Sequence, residues 1–204
     1  MGNVFRFDEL DSTNTKALAL AREGLEEAVV TAKSQTGGRG RLGRSFLSPE
    51  GGLYLSVLTS RLAPGDRILA LTPAAALAVR RSIARTYGLA CQIKYPNDLI
   101  LEDRKICGIL CESLTEGDRF SAVIGVGVNV CSDVPAPSDA PDYPPGSLKD
   151  FCGKAKDPAS LQELESVLIE ELTSLIDAFA AGQRLDEAEY RRHCINCPDI
   201  IVPY

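Results

Sequence analysis

This sequence predicts an α+β domain, with one mixed and largely antiparallel β-sheet and helices packed on it. Three observations carry that expectation. Strand patterns at residues 91–95, 98–101, 105–114 and 121–130 follow one another directly, without the strict strand–helix alternation of a parallel fold. Two long stretches, 68–87 and 158–181, carry helical periodicity. The chain has 204 residues, 45% of them hydrophobic, which suits one medium domain with a sizeable core.

Residues 4–7 alternate apolar and basic side chains as a short strand does, and Asp11-Ser12-Thr13-Asn14 offers several N-cap residues to a helix over 15–22 that stops near Gly24. Capping alone accounts for Ser12 or Asn14, although four polar groups exceed what one cap requires. A β-branched run at 28–33 reads as a strand, and 52–59 as a buried one. The helix over 68–87 ends at Gly88. Pro73 is tolerable there only in a first turn or at a restart, and Arg80, Arg81 and Arg85 fall on a solvated face. Glu102-Asp103-Arg104 joins strands 98–101 and 105–114 as a polar hairpin turn. Residues 121–130 are nearly all β-branched or glycine, as a central strand covered on both faces would be. Gly125 and Gly127 weaken that strand, which makes sense if something flat packs on its backbone. Residues 135–146 hold five of the twelve prolines and form a loop, and 158–181 repeats leucine at helical spacing. A short helix over 185–193 precedes a Cys-Ile-Asn-Cys tail, where a zinc or redox site lacks a second ligand pair.

A formal net charge of -6 argues against nucleic acid as the main partner. No run of 18 apolar residues and no basic-then-apolar start points to a membrane or to secretion. Seven cysteines, an odd number spread through apolar strands, read as reduced thiols packed as small hydrophobes, so a cytoplasmic location is expected.

Against that acidic background, residues 35–44 read Q-T-G-G-R-G-R-L-G-R, with four glycines and three arginines. Glycine backbone can approach a ligand closely, and arginine forks suit phosphate and carboxylate oxygens, so a small anionic ligand is expected. The spacing also fits G-x-G-x-x-G and a P-loop-like pattern. Both templates need a helix opening directly after the loop, whereas residues 45–52 carry turn signals and run into a strand pattern. Lys105 opens an otherwise apolar strand. It either snorkels to solvent or, set against a carboxylate and a phosphate, acts as an electrostatic catalyst.

Five motifs occur in one order: S-T-N at 12–14, Q-T-G-G-R-G-R-L-G-R at 35–44, K-Y-P-N-D at 94–98, R-K-I-C-G-I-L-C-E at 104–112 and G-V-G-V-N-V at 125–130. Together they resemble the catalytic domain of biotin–protein ligases, over residues 5–130. The resemblance implies the class II aminoacyl-tRNA-synthetase-like fold of biotin–lipoate ligases, in the monofunctional type without a DNA-binding domain. It also implies a two-step reaction in which biotin and Mg-ATP give biotinyl-adenylate, whose biotinyl group then passes to a lysine of a biotin carboxyl-carrier domain. Ser12, Thr13, Asn14, Gln35, Gly38, Arg39, Gly40, Arg41, Lys105 and Gly108 are the biotin-binding residues it implies. Arg39, Arg41, Arg44, Asn97, Lys105 and Asn129 face the adenylate; Lys105, Arg41 and Asp98 are catalytic, and the metal ligands stay unassigned. Biotin, ATP and the carrier domain are the implied partners, with no nucleic acid, no membrane, and a homodimer left open.

Tyr95 stands where the family usually has tryptophan, and Phe46 keeps an aromatic position. The chain is expected to divide into a catalytic unit at 1–193 and a remainder at 194–204. There Ile200-Ile201-Val202 resembles the first strand of a small SH3-like barrel, cut short, or belongs to a disordered tail. Two alternatives remain beside this reading: a lipoate or octanoyl ligase or transferase, and a non-catalytic binder of biotin or its adenylate.

Overall fold

The computed structural model of the chain describes residues 3–135 and 142–199. Its strands are β1 (Asn3–Leu10), β2 (Glu27–Gln35), β3 (Leu53–Thr59), β4 (Gln92–Lys94), β5 (Asp98–Leu101), β6 (Arg104–Glu116) and β7 (Arg119–Val128). They form one seven-stranded sheet in the order β1-β2-β3-β7-β6-β5-β4. Only β1 and β2 pair in parallel; every other neighbouring pair is antiparallel. The helices are α1 (Thr13–Arg22), α2 (Asp66–Tyr87), α3 (Pro158–Ala180) and α4 (Glu187–His193). The mixed, largely antiparallel sheet expected from the sequence is present.

A parallel β1–β2 pair needs a crossover, and α1 supplies it. Its buried Ala17, Leu20 and Ala21 pack on Ala28, Val30, Leu58 and Val123, which point to one face of the sheet. The alternate residues Val29, Val57, Ile124 and Val126 face the other way into the main core with α2 and α3. The leucine spacing of α3 does what its period predicts: Leu164, Leu168, Leu172, Ile176 and Phe179 are buried. Leu172→Ala is expected to cost about 2–5 kcal/mol, the usual range for a core leucine, read as a lower urea midpoint.

Local chemistry explains the boundaries. Gly88 closes α2 in the left-handed region at φ 71, as a helix stop of this kind requires. Glu102 and Asp103, at φ 45 and 60, make the tight β5–β6 hairpin turn.

Two expectations need correction. Pro73 lies inside α2 rather than in its first turn; the carbonyl it leaves without its helical donor belongs to Leu69, an exposed residue. Arg80, Arg81 and Arg85 do not make a merely solvated face. Arg80 Nε donates to Cys91 O at 2.9 Å, Arg81 Nε to Glu189 of α4 at 3.0 Å, and Arg85 Nη1 to Glu171 of α3 at 2.7 Å. These half-exposed pairs orient α2 against its neighbours more than they stabilise it.

All seven cysteines are free thiols. Burial pushes the Cys91 and Cys111 thiols up to about 12, as befits inert packing groups. The C-I-N-C segment lies along β4: Cys194 bridges Ile93, and Ile195 N–H donates to Ile93 O at 2.8 Å. Residues 200–204, with the expected barrel strand, lie outside the described residues. No helix is long and apolar enough to cross a membrane among the described residues.

Candidate active site

β1 and β2 run in the same direction and finish side by side. Thr36 N–H donates to Leu10 O at 2.9 Å and Gly37 N–H to Asp11 O at 2.8 Å. That pairing brings the start of α1, residues 12–14, against the root of the glycine–arginine loop.

Ser12 is the N-cap of α1, its Oγ accepting from Thr15 N at a long 3.4 Å, so the capping reading holds for it. Thr13 N–H donates to Gln35 Oε1 at 2.8 Å, and Gln35 Nε2 donates to Ser48 Oγ at 2.8 Å. Ser56 Oγ lies 2.8 Å from Thr13 Oγ1 and donates to Asn14 Oδ1 at 2.6 Å. Asn14 Nδ2 donates to Leu110 O at 3.1 Å and Glu112 Oε2 at 2.8 Å, so both of its amide protons are already committed. Asn14 therefore lines the site as a fixed wall.

The loop is an ordered hairpin rather than a slack coil. Gln35 bridges Ser48 and Arg39 bridges Ser45, Phe46 N–H donates to Gly38 O at 2.9 Å, and Gly40 N–H donates to Arg44 O at 2.7 Å. Gly38 is forced, because a Cβ there would stand 2.3 Å from Phe46 O. Leu42, in the left-handed region and 90% exposed, forms the tip.

Between these parts lies a cleft of about 310 Å³ not filled by atoms, some of it open to solvent. Ser12, Thr13, Gln35, Arg39, Phe46 and Gly108 are among its lining. Its floor is the α1 face of the central strands, and the flat groups expected over the glycines are there. A Cβ at Gly127 would stand 2.5 Å from the Phe46 ring, and one at Gly125 2.0 Å from Asn14 Oδ1.

Lys105 reaches this face because of a bulge. Asp98 pairs with Gly108 and Leu99 with Cys107, but Ile100 pairs with Lys105, which leaves Ile106 as the extra residue. One added residue reverses the alternation, so Lys105 shares a face with Gly108 and Asp98. Its Nζ lies 2.8 Å from Asp98 Oδ2 and 5.9 Å from the centroid of the Phe46 ring. Asp98 Oδ1 is buried and has no hydrogen-bond partner among the described residues. Asn97 stands beside them, its Nδ2 donating to Ile109 O at 3.0 Å and its Oδ1 meeting Arg41 Nη1 at a long 3.4 Å. Asn129, 3% exposed at the end of β7, donates through Nδ2 to Gly146 O at 3.0 Å, and its Oδ1 has no partner among the described residues.

The structure thus joins Ser12, Thr13, Asn14, Gln35, Arg39 and Gly108 in one cleft. Lys105, Asp98, Asn97 and Arg41 form an adjoining group. Gly38 and Gly40 shape the loop. Arg44 is not drawn in: it is exposed and closes the turn through its backbone, and among the described residues no hydrogen bond or ion pair carries its guanidinium to the cleft. Sequence reasoning missed Ser48, Ser56 and Glu112. Ser56 was visible as a small hydroxyl flanked by apolar residues in a buried strand, and Glu112 as the charge two steps of two beyond Gly108, hence on the same face. Among the described residues, no group of three or more His, Cys, Asp or Glu stands ready to hold a metal ion.

A cleft roofed by a glycine–arginine hairpin, with a lysine and a carboxylate at its end, is suited to holding an anionic small molecule. The biotin/lipoate A/B protein ligase family model matches residues 4–129, and the chain belongs to that family. It is 35% identical over 193 residues to the bifunctional ligase/repressor BirA of Bacillus subtilis, covering 93% of this chain and 50% of the relative. It is 38% identical over 159 residues to the biotin–[acetyl-CoA-carboxylase] ligase of Paracoccus denitrificans, covering 76% and 66%. The chain therefore spans about half the length of the Bacillus relative. Among solved structures it is similar to the biotin protein ligase of Aquifex aeolicus in complex with biotin and ATP, with a TM-score of 0.69, 26% identity, and coverage of 90% and 74%. The Leishmania major biotin protein ligase, at 22% identity and a TM-score of 0.75 over 98% of this chain and 85% of that one, has the same fold.

Proposed function

We propose that this chain activates biotin with ATP to biotinyl-5′-AMP and transfers the biotinyl group to a lysine of a biotin carboxyl-carrier domain. The observation that carries this reading is Lys105, turned by the Ile106 bulge to the mouth of a polar-walled cleft beneath the arginine loop. In the first step a carboxylate attacks an α-phosphate, so two anions must be brought together. Cationic groups fixed beforehand lower that barrier. Lys105, with Arg39 and Arg41 overhead, supplies them.

Ser12, Thr13 and Gln35 offer the mixed donors and acceptors that a buried ureido edge needs, with Gly38, Gly40 and Gly108 letting backbone approach. Asn97 and Asn129 lie towards the nucleotide, where the unpartnered Asn129 Oδ1 is an acceptor awaiting a donor. In the second step the incoming lysine, with an unperturbed pKa of about 10.4, attacks only when neutral. Asp98 keeps Oδ1 free to take its proton while Oδ2 holds Lys105. The catalytic unit is taken as residues 1–193, and the free thiols suit the cytoplasm.

Biotin-dependent exchange between ATP and pyrophosphate tests the first step, with octanoate and lipoate run alongside. Transfer to a carrier domain tests the second. Exchange driven by octanoate or lipoate and not by biotin would make this a lipoate-type ligase. Binding of biotin without exchange would make it a non-catalytic binder. Arg41→Gly is expected to leave exchange measurable but to release biotinyl-adenylate into solution about ten- to a hundredfold faster, the worth of one lost charged hydrogen bond. A quench assay of free adenylate reads this, and parental leakage would remove Arg41 from the lid.

A further inference from the structure

Glu112 belongs to none of the five motif roles assigned from the sequence, yet it ties the loop to the floor of the cleft. Its Oε2 accepts from Arg39 Nη2 at 2.7 Å and from Asn14 Nδ2 at 2.8 Å. Asn14 is itself pinned by Ser56 and by Leu110 O, so this carboxylate oxygen is held on the sheet side by a group that cannot turn away. On the loop side, Arg39 is its one ion-pair partner among the described residues.

The two anchors differ in stiffness. Glu112 stands on β6 in full register with β7, facing Val123. Arg39 stands at the root of a hairpin whose outer part is held by single bridges. The loop's other arginine bond to the sheet, Arg41 to Asn97, is longer, at 3.4 Å, and its acceptor is uncharged. With side chains 42% and 24% exposed, the Arg39–Glu112 pair is half-hydrated. Such a pair biases an equilibrium without locking it, which is what a reversible closure needs.

We propose that Glu112 is the latch of this loop, a positioning residue that acts through Arg39 to set the fraction of time the roof is closed. The latch rests on the proposed function only for what lies beneath the roof, so its test has a readout that needs no ligand. Trypsin cuts after Arg41 and Arg44 when the loop opens. Glu112→Gln keeps the volume and an oxygen for Asn14 but removes the charge facing Arg39. In the purified, ligand-free chain it is expected to speed cleavage at these two sites about two- to fivefold, the range of a half-exposed ion pair. The urea midpoint and cleavage elsewhere should stay as in the parent, and Glu112→Asp should restore part of the protection. Adding Arg39→Gln to Glu112→Gln should change cleavage no further, since both remove the same bond.

Unchanged cleavage at Arg41 and Arg44 would overturn the latch. So would faster cleavage everywhere with a lowered urea midpoint, which would mark Glu112 as a purely structural residue. A second arm chases bound biotin with excess unlabelled ligand; the latch predicts faster release by a similar factor. If the parent binds no biotin, the proposed function fails while the proteolysis arm still decides the latch.

Discussion

Lys105→Ala is expected to lower biotin-dependent pyrophosphate exchange about a thousandfold, the upper range for removing one preorganised group from a developing charge. The folded state should survive, because Lys105 contributes no core packing and its backbone bonds to Pro144 O and Gly146 N are independent of its side chain. The substitution has a second consequence. Among the described residues Asp98 Oδ1 already has no partner, and Oδ2 would lose its ammonium, leaving a largely buried carboxylate unpaired. A cost of about 1–3 kcal/mol follows for that orphaned group. Lys105→Ala combined with Asp98→Asn should recover most of the urea midpoint and none of the exchange. Separation of the two readouts distinguishes electrostatic catalysis from simple support. Exchange within tenfold of the parent in Lys105→Ala would remove the lysine from the chemistry.

Gly125→Ala is expected to weaken biotin binding about a hundredfold, although residue 125 carries no functional group. Its Cβ would stand 2.0 Å from Asn14 Oδ1, and Asn14 cannot swing aside without breaking bonds to Ser56, Leu110 O and Glu112. The start of α1 must shift, carrying Ser12 and Thr13 with it. Displacements of about an ångström in a positioned site cost on the order of a hundredfold. Overpacking adds about 1–3 kcal/mol of lost stability. Titration calorimetry and a urea melt check the two effects. An unchanged dissociation constant would mean that the Asn14 wall is dispensable.

Much of this arrangement was legible in the residues themselves. Period-2 and period-3.6 patterns report burial directly, which is why β7 and α3 could be read almost to their ends. Gly125 and Gly127 announced a close approach, and the planar groups upon them are Asn14 and Phe46. What escaped was what depends on two strands at once. The bulge at Ile106 exists only relative to β5, so nothing local in R-K-I-C-G says that Lys105 changes face. Arg81 and Arg85 looked solvated because their acceptors lie far along the chain, in α4 and α3. Glu112 was passed over for the same reason: its partners, Arg39 and Asn14, are distant in sequence and meet it only once β1 and β2 end together.

The bridge between Gln35 and Ser48 gives the chain a natural cassette boundary. The backbone outward of it bonds to itself, Phe46 N–H to Gly38 O and Gly40 N–H to Arg44 O, while the side chains of Arg39, Arg41 and Phe46 reach back to the sheet and only the tip around exposed Leu42 stands clear. Combinatorial libraries confined to the tip, or tips of another length grafted onto those two stems, should leave the sheet register untouched. Substrate retention could then be tuned in an engineered variant without re-optimising expression.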